Sequence, residues 1–432
     1  MEIIKRISLI SLLLFLFLVP FNLTIANIGF LVFVLGIFVN KDLYKNLSLK
    51  TISNPVKYFI IISIGYWLWS FVSLLWSDGF DRGLQLCGRY VMLMAFPLSF
   101  YLAKVGVIIR NTKILAWIFL AGVVVSSFFC LIISFNNSLI ETENGIIFKA
   151  DTYYRDLDIL ESISSGYNNF AYESLSHFIH PSYYSFYFLF SILFLITELK
   201  SINGKKYKFL SIMGIIYSSF FIYLLQSRGN IIASIAVTLF FIVYYALINK
   251  KLNFLIIGFI FFISLTYFII ENSRLSWIID NSITALKSDN KQEVTERLEN
   301  TVNSRFIIWH NAFQVIKENP ILGVGIGDTD TELEKQYQKN NVAFEFGTHN
   351  QYIYAQLSMG VIGLLLLLAM LFTPLYFGIK NRYFPLIGFA IAVMVNLMFE
   401  NMLTRNAGLM FIPWATMLLL MMSEEKKNEL AK

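Results

Sequence analysis

Histidine is scarce in this sequence, and its four copies are the first candidates for chemistry. They are His177, His180, His310 and His349. A neutral imidazole can accept a proton near pH 7, which few other unperturbed side chains can do. His349 stands in the polar stretch 347–352, where a long polar segment meets an apolar one. Its position leaves two interpretations open: a general base, or an interfacial histidine that hydrogen-bonds lipid headgroups or backbone.

Three arginines and one glutamate are candidates to act beside it. Arg305 opens an amphipathic stretch, and Arg228 stands in a short turn between two apolar runs. Arg89 lies inside an apolar run, where an ionisable side chain is often functional. A solvated charge at a helix start or a side chain that snorkels to the headgroups would explain each arginine without function. Glu400 ends another apolar run, where it either orients a His or Arg or marks the membrane edge.

One histidine and several arginines on one membrane face suit an anionic lipid headgroup better than a neutral solute. Arginine binds phosphate oxygens bidentately and keeps its charge at any relevant pH. A diphosphate leaving group needs such cations as negative charge develops on it. A base then has only to deprotonate an incoming hydroxyl.

Weaker patterns are set aside. The segment Gly323-Val324-Gly325-Ile326-Gly327 resembles a dinucleotide loop but follows no strand, so we interpret it as a tight turn. The acidic residues from Asp328 to Glu334 lack the spacing of a calcium-binding EF-hand, and a solvated helix start is the simpler interpretation. Cys87 and Cys130 lie inside apolar runs and predict neither a disulfide framework nor a zinc site. We expect no metal.

The composition defines the elements that must position these residues. Of the 432 residues, 57% are hydrophobic and 14% are charged, whereas soluble domains carry about 25% charged residues. Low charge excludes intrinsic disorder, and unbroken apolar runs exclude a barrel of alternating strands. The sequence predicts an all-α, polytopic integral membrane protein.

Twelve apolar runs have the length of membrane spans. They cover 7–21, 23–39, 58–76, 85–103, 114–134, 181–197, 209–226, 231–248, 254–270, 359–379, 384–399 and 407–422. With a cytoplasmic N-terminus, the cytoplasmic segments hold 20 Lys and Arg, and the short loops on the other side hold three. We therefore expect both termini in the cytoplasm. The net charge is +6, but the positive residues lie mostly at one membrane face, so we expect no nucleic-acid partner. The first run also resembles a signal peptide, but we expect a retained helix because eleven runs follow it.

The chain is predicted to be a single integral membrane domain over residues 1–432. Two long segments, about 135–180 and 271–349, then lie outside the cytoplasm. Within the second, residues Arg305–Glu318 have the hydrophobic spacing of an amphipathic helix, which suits a helix lying in the membrane surface. No inverted repeat of the transporter kind is visible.

The ordered set from Arg305 through Trp309, the glycine-rich turn and His349-Asn350 to Gly360 resembles the core of the O-antigen ligase and polymerase superfamily. The resemblance spans about 60 residues, roughly 300–360, and includes Ser227-Arg228-Gly229 further upstream. It implies an inverting glycosyltransferase that moves a glycan from undecaprenyl diphosphate to a hydroxyl, with no cofactor. The reaction would take place at the periplasmic face of the bacterial inner membrane.

The resemblance also implies roles for particular residues. His349 matches the base that activates the acceptor hydroxyl, and Arg228 and Arg305 match the arginines that hold the diphosphate. Other positions resemble substrate-binding parts of the family less closely, and these are Arg82, Arg89, His180, Tyr183, Asn350 and Glu400. The long segment 135–180 departs from the family pattern and limits the transfer of substrate details.

Several functions stay open at this point. The leading one is a ligase that joins a lipid-linked polysaccharide to lipid A-core, within lipopolysaccharide biosynthesis. A polymerase that extends lipid-linked repeat units would use the same donor and the same attack, and so would a transferase that modifies a protein hydroxyl. A lipid or polysaccharide transporter is the non-enzymatic alternative. The expected partners are the undecaprenyl-diphosphate-linked donor, a lipid A-core or other glycan acceptor, and membrane lipids.

Overall fold

The computed structural model describes residues 2–42, 53–143, 145–151, 168–201, 204–248, 250, 303–340, 342 and 346–430. Fourteen α-helices lie in these ranges. They are α1 Glu2–Leu18, α2 Leu23–Val39, α3 Asn54–Val72, α4 Phe80–Val105, α5 Thr112–Asn137, α6 Tyr172–Leu175, α7 Pro181–Ser201, α8 Lys205–Leu224, α9 Arg228–Ile248, α10 Asn303–Glu318, α11 Thr329–Lys339, α12 Gln351–Lys380, α13 Phe384–Phe399 and α14 Asn406–Leu430. Short 3₁₀ helices at Ser73–Trp76 and Met402–Thr404 and a hairpin of β1 Leu139–Thr142 with β2 Gly145–Phe148 complete this part of the chain.

The helices confirm the predicted fold class, an all-α membrane protein. Eight of the described helices are long and apolar enough to cross a membrane, and α2 and α13 are shorter apolar helices. Eleven of the twelve apolar runs fall on helices. The run 254–270 lies outside the described residues, so the number of twelve spans stays a prediction.

Helix α14 forms the centre of the helix bundle. Its Trp414 is fully buried, and its ring lies 5.0 Å from that of Phe119 in α5, 5.8 Å from Phe190 in α7 and 6.4 Å from Phe100 in α4. Edge-to-face and stacked aromatic rings at such distances add attraction beyond the burial of their surface. The aromatic packing around α14 therefore joins three other helices.

Helix α12 is broken at Gly360, where φ is +65° and ψ is −166°. Only glycine adopts such a conformation readily. Two carbonyl oxygens before the break accept hydrogen bonds from outside the helix. The backbone N–H of Val324 donates to Leu357 O at 2.9 Å, and that of Gly325 donates to Ser358 O at 3.0 Å. Buried backbone groups need such partners, so the break and the glycine-rich turn depend on each other.

The glycine-rich turn 323–327 packs directly against α12. A Cβ atom at Gly323 would lie 2.6 Å from the carbonyl oxygen of Leu357, so no side chain fits there. Trp69 of α3 adds an indole N–H bond of 2.9 Å to Met359 O. The predicted tight turn is confirmed, and it supplies hydrogen-bond donors to a broken helix.

Asp328 ties the end of this turn to α4. Its carboxylate accepts hydrogen bonds from the backbone N–H groups of Asp78 and Gly79, both at 2.7 Å, and from Ser77 Oγ at 2.8 Å. A carboxylate is favoured at a helix N-terminus, where backbone N–H groups lack partners. The prediction of a solvated helix start was correct for the start of α11 but wrong for the Asp328 carboxylate, which binds the start of α4.

The predicted amphipathic stretch is confirmed as helix α10. Its buried face consists of Ile308, Ala312 and Val315, which pack in one cluster with Leu333 of α11 and Leu357 of α12. The opposite face is exposed and carries aromatic side chains. Helix α10 is thereby held against the start of α12, next to His349.

Candidate active site

His349 and Glu400 form the centre of the candidate site. His349 Nδ1 lies 3.5 Å from Glu400 Oε2, and the two side chains keep 38% and 27% of their exposure. His349 has a φ of +45°, a backbone conformation that is uncommon outside glycine and concentrates at functional sites. Glu400 ends α13 in an extended conformation. Two loops thus bring an imidazole and a carboxylate together at one end of the bundle.

The residues on either side of His349 hold its backbone in place. Thr348 is buried, and its carbonyl accepts the indole N–H of Trp309 at 2.9 Å. The Thr348 hydroxyl donates to Asn401 Oδ1 at 3.1 Å. Asn350 Oδ1 accepts the first free N–H groups of α12, at 3.0 and 3.2 Å. His349 is therefore fixed by α10, by the loop after α13 and by the cap of α12.

Arg305 approaches the same carboxylate from α10. Its guanidinium carbon lies 5.7 Å from the centre of the Phe399 ring. Burial lowers the pKa of Arg305, and the negative charge of Glu400 partly opposes that shift. An arginine stays protonated at neutral pH even so. The guanidinium is thus a permanent positive charge, partly withdrawn from solvent, beside the His349–Glu400 pair.

Glu400 is held in its ionised form. Burial alone would raise the pKa of this carboxyl group, but a hydrogen bond with His349 and the charges of His349, Arg305 and His180 outweigh burial and keep the pKa below its usual range. Three basic groups therefore surround one carboxylate. The permanent charge of Arg305 in this group is what an anionic ligand requires.

The segment that starts α7 contributes to this cluster. His180 Nε2 lies 3.7 Å from Glu173 Oε1, and its ring is 6.3 Å from the Tyr183 ring. Tyr183 is buried and lies within electrostatic reach of Glu400 and Arg405. The sequence predicted His180 and Tyr183 as site residues and gave no role to Arg405.

Arg228 is the first residue of α9, in the turn that the sequence predicted. The next residue, Gly229, packs against the last turn of α13, where an added Cβ atom would lie 3.1 Å from Asn396 Oδ1 and 3.7 Å from Phe399 Cβ. Phe399 directly precedes Glu400 in the chain. The fold therefore brings the start of α9 to the same end of α13 as the His349 cluster.

Asn230 is a site-positioning residue that sequence reasoning missed. It is fully buried, donates to Ser182 O at 2.6 Å and accepts from Asn396 Nδ2 at 3.0 Å. Its amide thereby joins α9 to the start of α7 and to α13. The sequence feature that could have indicated its role is its place directly after Ser227-Arg228-Gly229, at the start of an apolar run.

Three of the predicted substrate-binding residues lie outside this cluster or have another contact. Arg82 forms an ion pair with Asp330 of α11. The Asn350 oxygen caps α12. Arg89 Nη1 lies 3.5 Å from Thr404 O, in the connection that begins with Glu400. The described residues bring no three His, Cys, Asp or Glu side chains together in a possible metal site.

Part of this chain is similar to known proteins. Residues 213–368 match a family model described as O-antigen ligase, a segment that includes Arg228, Arg305 and His349. This match confirms the resemblance to the O-antigen ligase superfamily. A segment of 161 residues is also 33% identical to an uncharacterized protein of Haemophilus influenzae. That alignment covers 36% of this chain and 39% of the relative, so the chain aligns with well under half of that protein.

Proposed function

We propose that this chain of the O-antigen ligase superfamily is a membrane glycosyltransferase, which moves a glycan from undecaprenyl diphosphate to an acceptor hydroxyl. The observation that carries the proposal is the His349–Glu400 pair at 3.5 Å, with the Arg305 guanidinium against the neighbouring Phe399 ring. A base and a fixed cation are thus available within one cluster. Attack on a glycosyl diphosphate requires both.

His349 is the proposed general base. Its Nδ1 faces the ionised Glu400, and a carboxylate there favours the tautomer that carries the proton on Nδ1. The lone pair of Nε2 is then free to accept the proton of the acceptor hydroxyl. Glu400 also stabilises the positive charge that the imidazole acquires. Glu400 is therefore a positioning residue, and His349 is the group that meets the substrate.

Arg305 and Arg228 are the proposed ligands of the donor diphosphate. In the reaction the acceptor oxygen bonds to the anomeric carbon, while the bond from that carbon to the diphosphate oxygen breaks. The electron pair leaves with the diphosphate, and the acceptor proton goes to His349. Guanidinium groups stabilise the charge that grows on the leaving oxygen. A single displacement of this kind inverts the anomeric centre.

The exposed face of α10 supports a glycan as the transferred group. A groove of about 900 Å³ runs along it. Its lining includes the exposed rings of Phe306 and Phe313 and the side-chain amides of Gln314 and Asn340. Aromatic faces cover the C–H surfaces of sugars, and amides hydrogen-bond their hydroxyls. Phe306 in the groove directly follows Arg305 in the chain, so the groove is a place for the first sugars of the donor.

The acceptor decides between a ligase and a polymerase. We favour a ligase that joins polysaccharide to lipid A-core at the periplasmic face of the inner membrane, with both termini in the cytoplasm. The test is deletion of the gene in its host and measurement of glycan length on undecaprenyl diphosphate. Accumulated long chains would support the ligase, and accumulated single repeat units would show a polymerase. An unchanged pool of lipid-linked glycan would contradict the whole proposal.

A further inference from the structure

A second cleft lies beside the connection 400–405, next to Thr404. It has a volume of about 350 Å³ and lies between α2, α4 and α14. Asn27, Gln85, Arg89 and Asn406 give it a polar lining, and Met92, Leu409 and Met410 continue it with apolar side chains. Since Arg89 lies next to Thr404, the cleft is at the same end of the bundle as the candidate active site.

The polar groups of this cleft have few partners in the protein. Within the described ranges, no carboxylate lies at ion-pair distance from Arg89, and its contact with Thr404 O is long at 3.5 Å. Asn27 Oδ1 is buried and has no hydrogen-bond partner among the described residues. Buried polar atoms are nearly always satisfied, because an unsatisfied one destabilises the fold. A buried acceptor without a partner, next to an exposed arginine that has no ion pair among the described residues, indicates a bound molecule.

Gly88 provides the space for that molecule. An added Cβ atom at Gly88 would meet no heavy atom within 4 Å. Glycine inside a helix is less favourable than alanine by roughly 0.5–1 kcal/mol, and here no neighbouring backbone requires it. The residue instead leaves the cleft open between Gln85 and Arg89.

The lining defines the class of ligand. A guanidinium and side-chain amides are donors for phosphate oxygens, and Asn27 Oδ1 needs a hydroxyl or ammonium donor. Asn406 is the first residue of α14, and Asn27 lies near the start of α2, so the polar lining lies at the depth of lipid headgroups. The apolar side chains that follow suit acyl chains. We propose that the cleft binds a membrane lipid through its phosphate, with a hydroxyl or ammonium group beside that phosphate.

The test measures lipid binding by the purified full-length chain in detergent, using native mass spectrometry with dioleoylphosphatidylglycerol as the probe. Arg89→Gln removes the cation, and Gly88→Phe fills the cleft. We expect Arg89→Gln to weaken retention of the lipid at least about tenfold, the effect of losing a charge-assisted hydrogen bond. Gly88→Phe should weaken retention as much, because its ring occupies the space of the lipid. Arg82→Gln and Leu84→Phe are matched controls on the same helix, because neither residue lines the cleft. Both control variants should retain the lipid as the unmodified protein does.

Two further probes identify what is recognised. Excess inorganic phosphate should not displace the phospholipid, and dioleoylglycerol, which lacks phosphate, should not be retained. Displacement by phosphate alone would reveal a small-anion site, and equal retention of dioleoylglycerol would reveal a groove for acyl chains only. Either result overturns the proposal, as does unchanged binding in both cleft variants. The measurement involves no glycan transfer, so its outcome is independent of the proposed enzymatic function.

Discussion

Two carboxylates at opposite ends of the bundle, Glu198 and Glu400, are surrounded in different ways. Glu198 is nearly inaccessible and pairs with Lys113 at 2.9 Å, which joins α7 to α5. Glu400 is more exposed, meets His349 at 3.5 Å and lies within reach of further basic groups. Glu198 is held in a close ion pair, whereas Glu400 lies among several basic groups at longer distances.

The difference separates a structural ion pair from a binding site. The ion pair between Lys113 and Glu198 is a contact within the fold, and its value is that it joins two helices. Around Glu400 lie His349, Arg305 and His180, and the His349 imidazole stands on a backbone with a positive φ. Backbone strain and clusters of ionisable groups concentrate where they serve a function. Substitutions at the two ends should therefore affect different measurements.

The largest effect is expected at His349. His349→Ala removes the proposed base, and we expect the transfer rate to fall by about 10²–10⁴-fold. The measurement is turnover of lipid-linked glycan by purified protein, with thermal unfolding as a check on the fold. His177→Ala is the matched control, because His177 contacts Ser134 and lies outside the cluster. A near-normal rate in His349→Ala would remove this residue from the mechanism.

A smaller loss is expected at Arg305. Arg305→Lys keeps a positive charge but loses the planar fork that binds two phosphate oxygens. We expect kcat/KM for the donor to fall by about 10- to 100-fold, in line with charged hydrogen bonds. Arg382→Lys at the turn between α12 and α13 tests the same substitution at the other end of the bundle. If the Arg305 variant used donor as well as the control does, Arg305 would be only a solvated charge.

Glu400→Gln tests the carboxylate without changing its shape. We expect the rate to fall by about tenfold, because the contact with His349 is no longer assisted by charge. The pKa of Glu400 is lowered in the fold from its ordinary value of 4.5, so its ionised form stabilises the protein above that pH. The stabilisation is lost as the pH falls through the lowered pKa. The difference in unfolding free energy between the two proteins should thus be constant near neutral pH and shrink in acid. A difference that grows in acid would contradict the assignment.

Local patterns predicted the helices well. Runs 23–39 and 384–399 coincide with α2 and α13, because a membrane span is defined by length and apolarity alone. The start of α12 was missed by eight residues: it lies at Gln351, whereas the apolar run starts at Met359. The cap by Asn350 and the burial of Gln351 against the 400–405 connection extend the helix beyond its apolar part.

The composition of the candidate site was less predictable. His349 and Arg305 were identifiable by residue type and family resemblance, but their partners depend on long-range packing. Asn230 meets Asn396 across 166 positions, and no local pattern indicates such a contact. The same holds for Arg405, which the sequence offered only as one charge in a short loop. Residue chemistry gives the candidates, and the tertiary fold decides which of them meet.

The smallest effect is expected at the opposite end of the bundle. Lys113→Gln removes the ion pair with the buried Glu198, but Lys113 is 46% exposed, so water replaces part of the lost interaction. We expect the free energy of unfolding to fall by about 1 kcal/mol, with no change in transfer rate. Chemical denaturation and the turnover assay together check both statements. Loss of rate without loss of stability would mean that charge at this end also acts on the reaction, and that the two carboxylates do not divide stability from function.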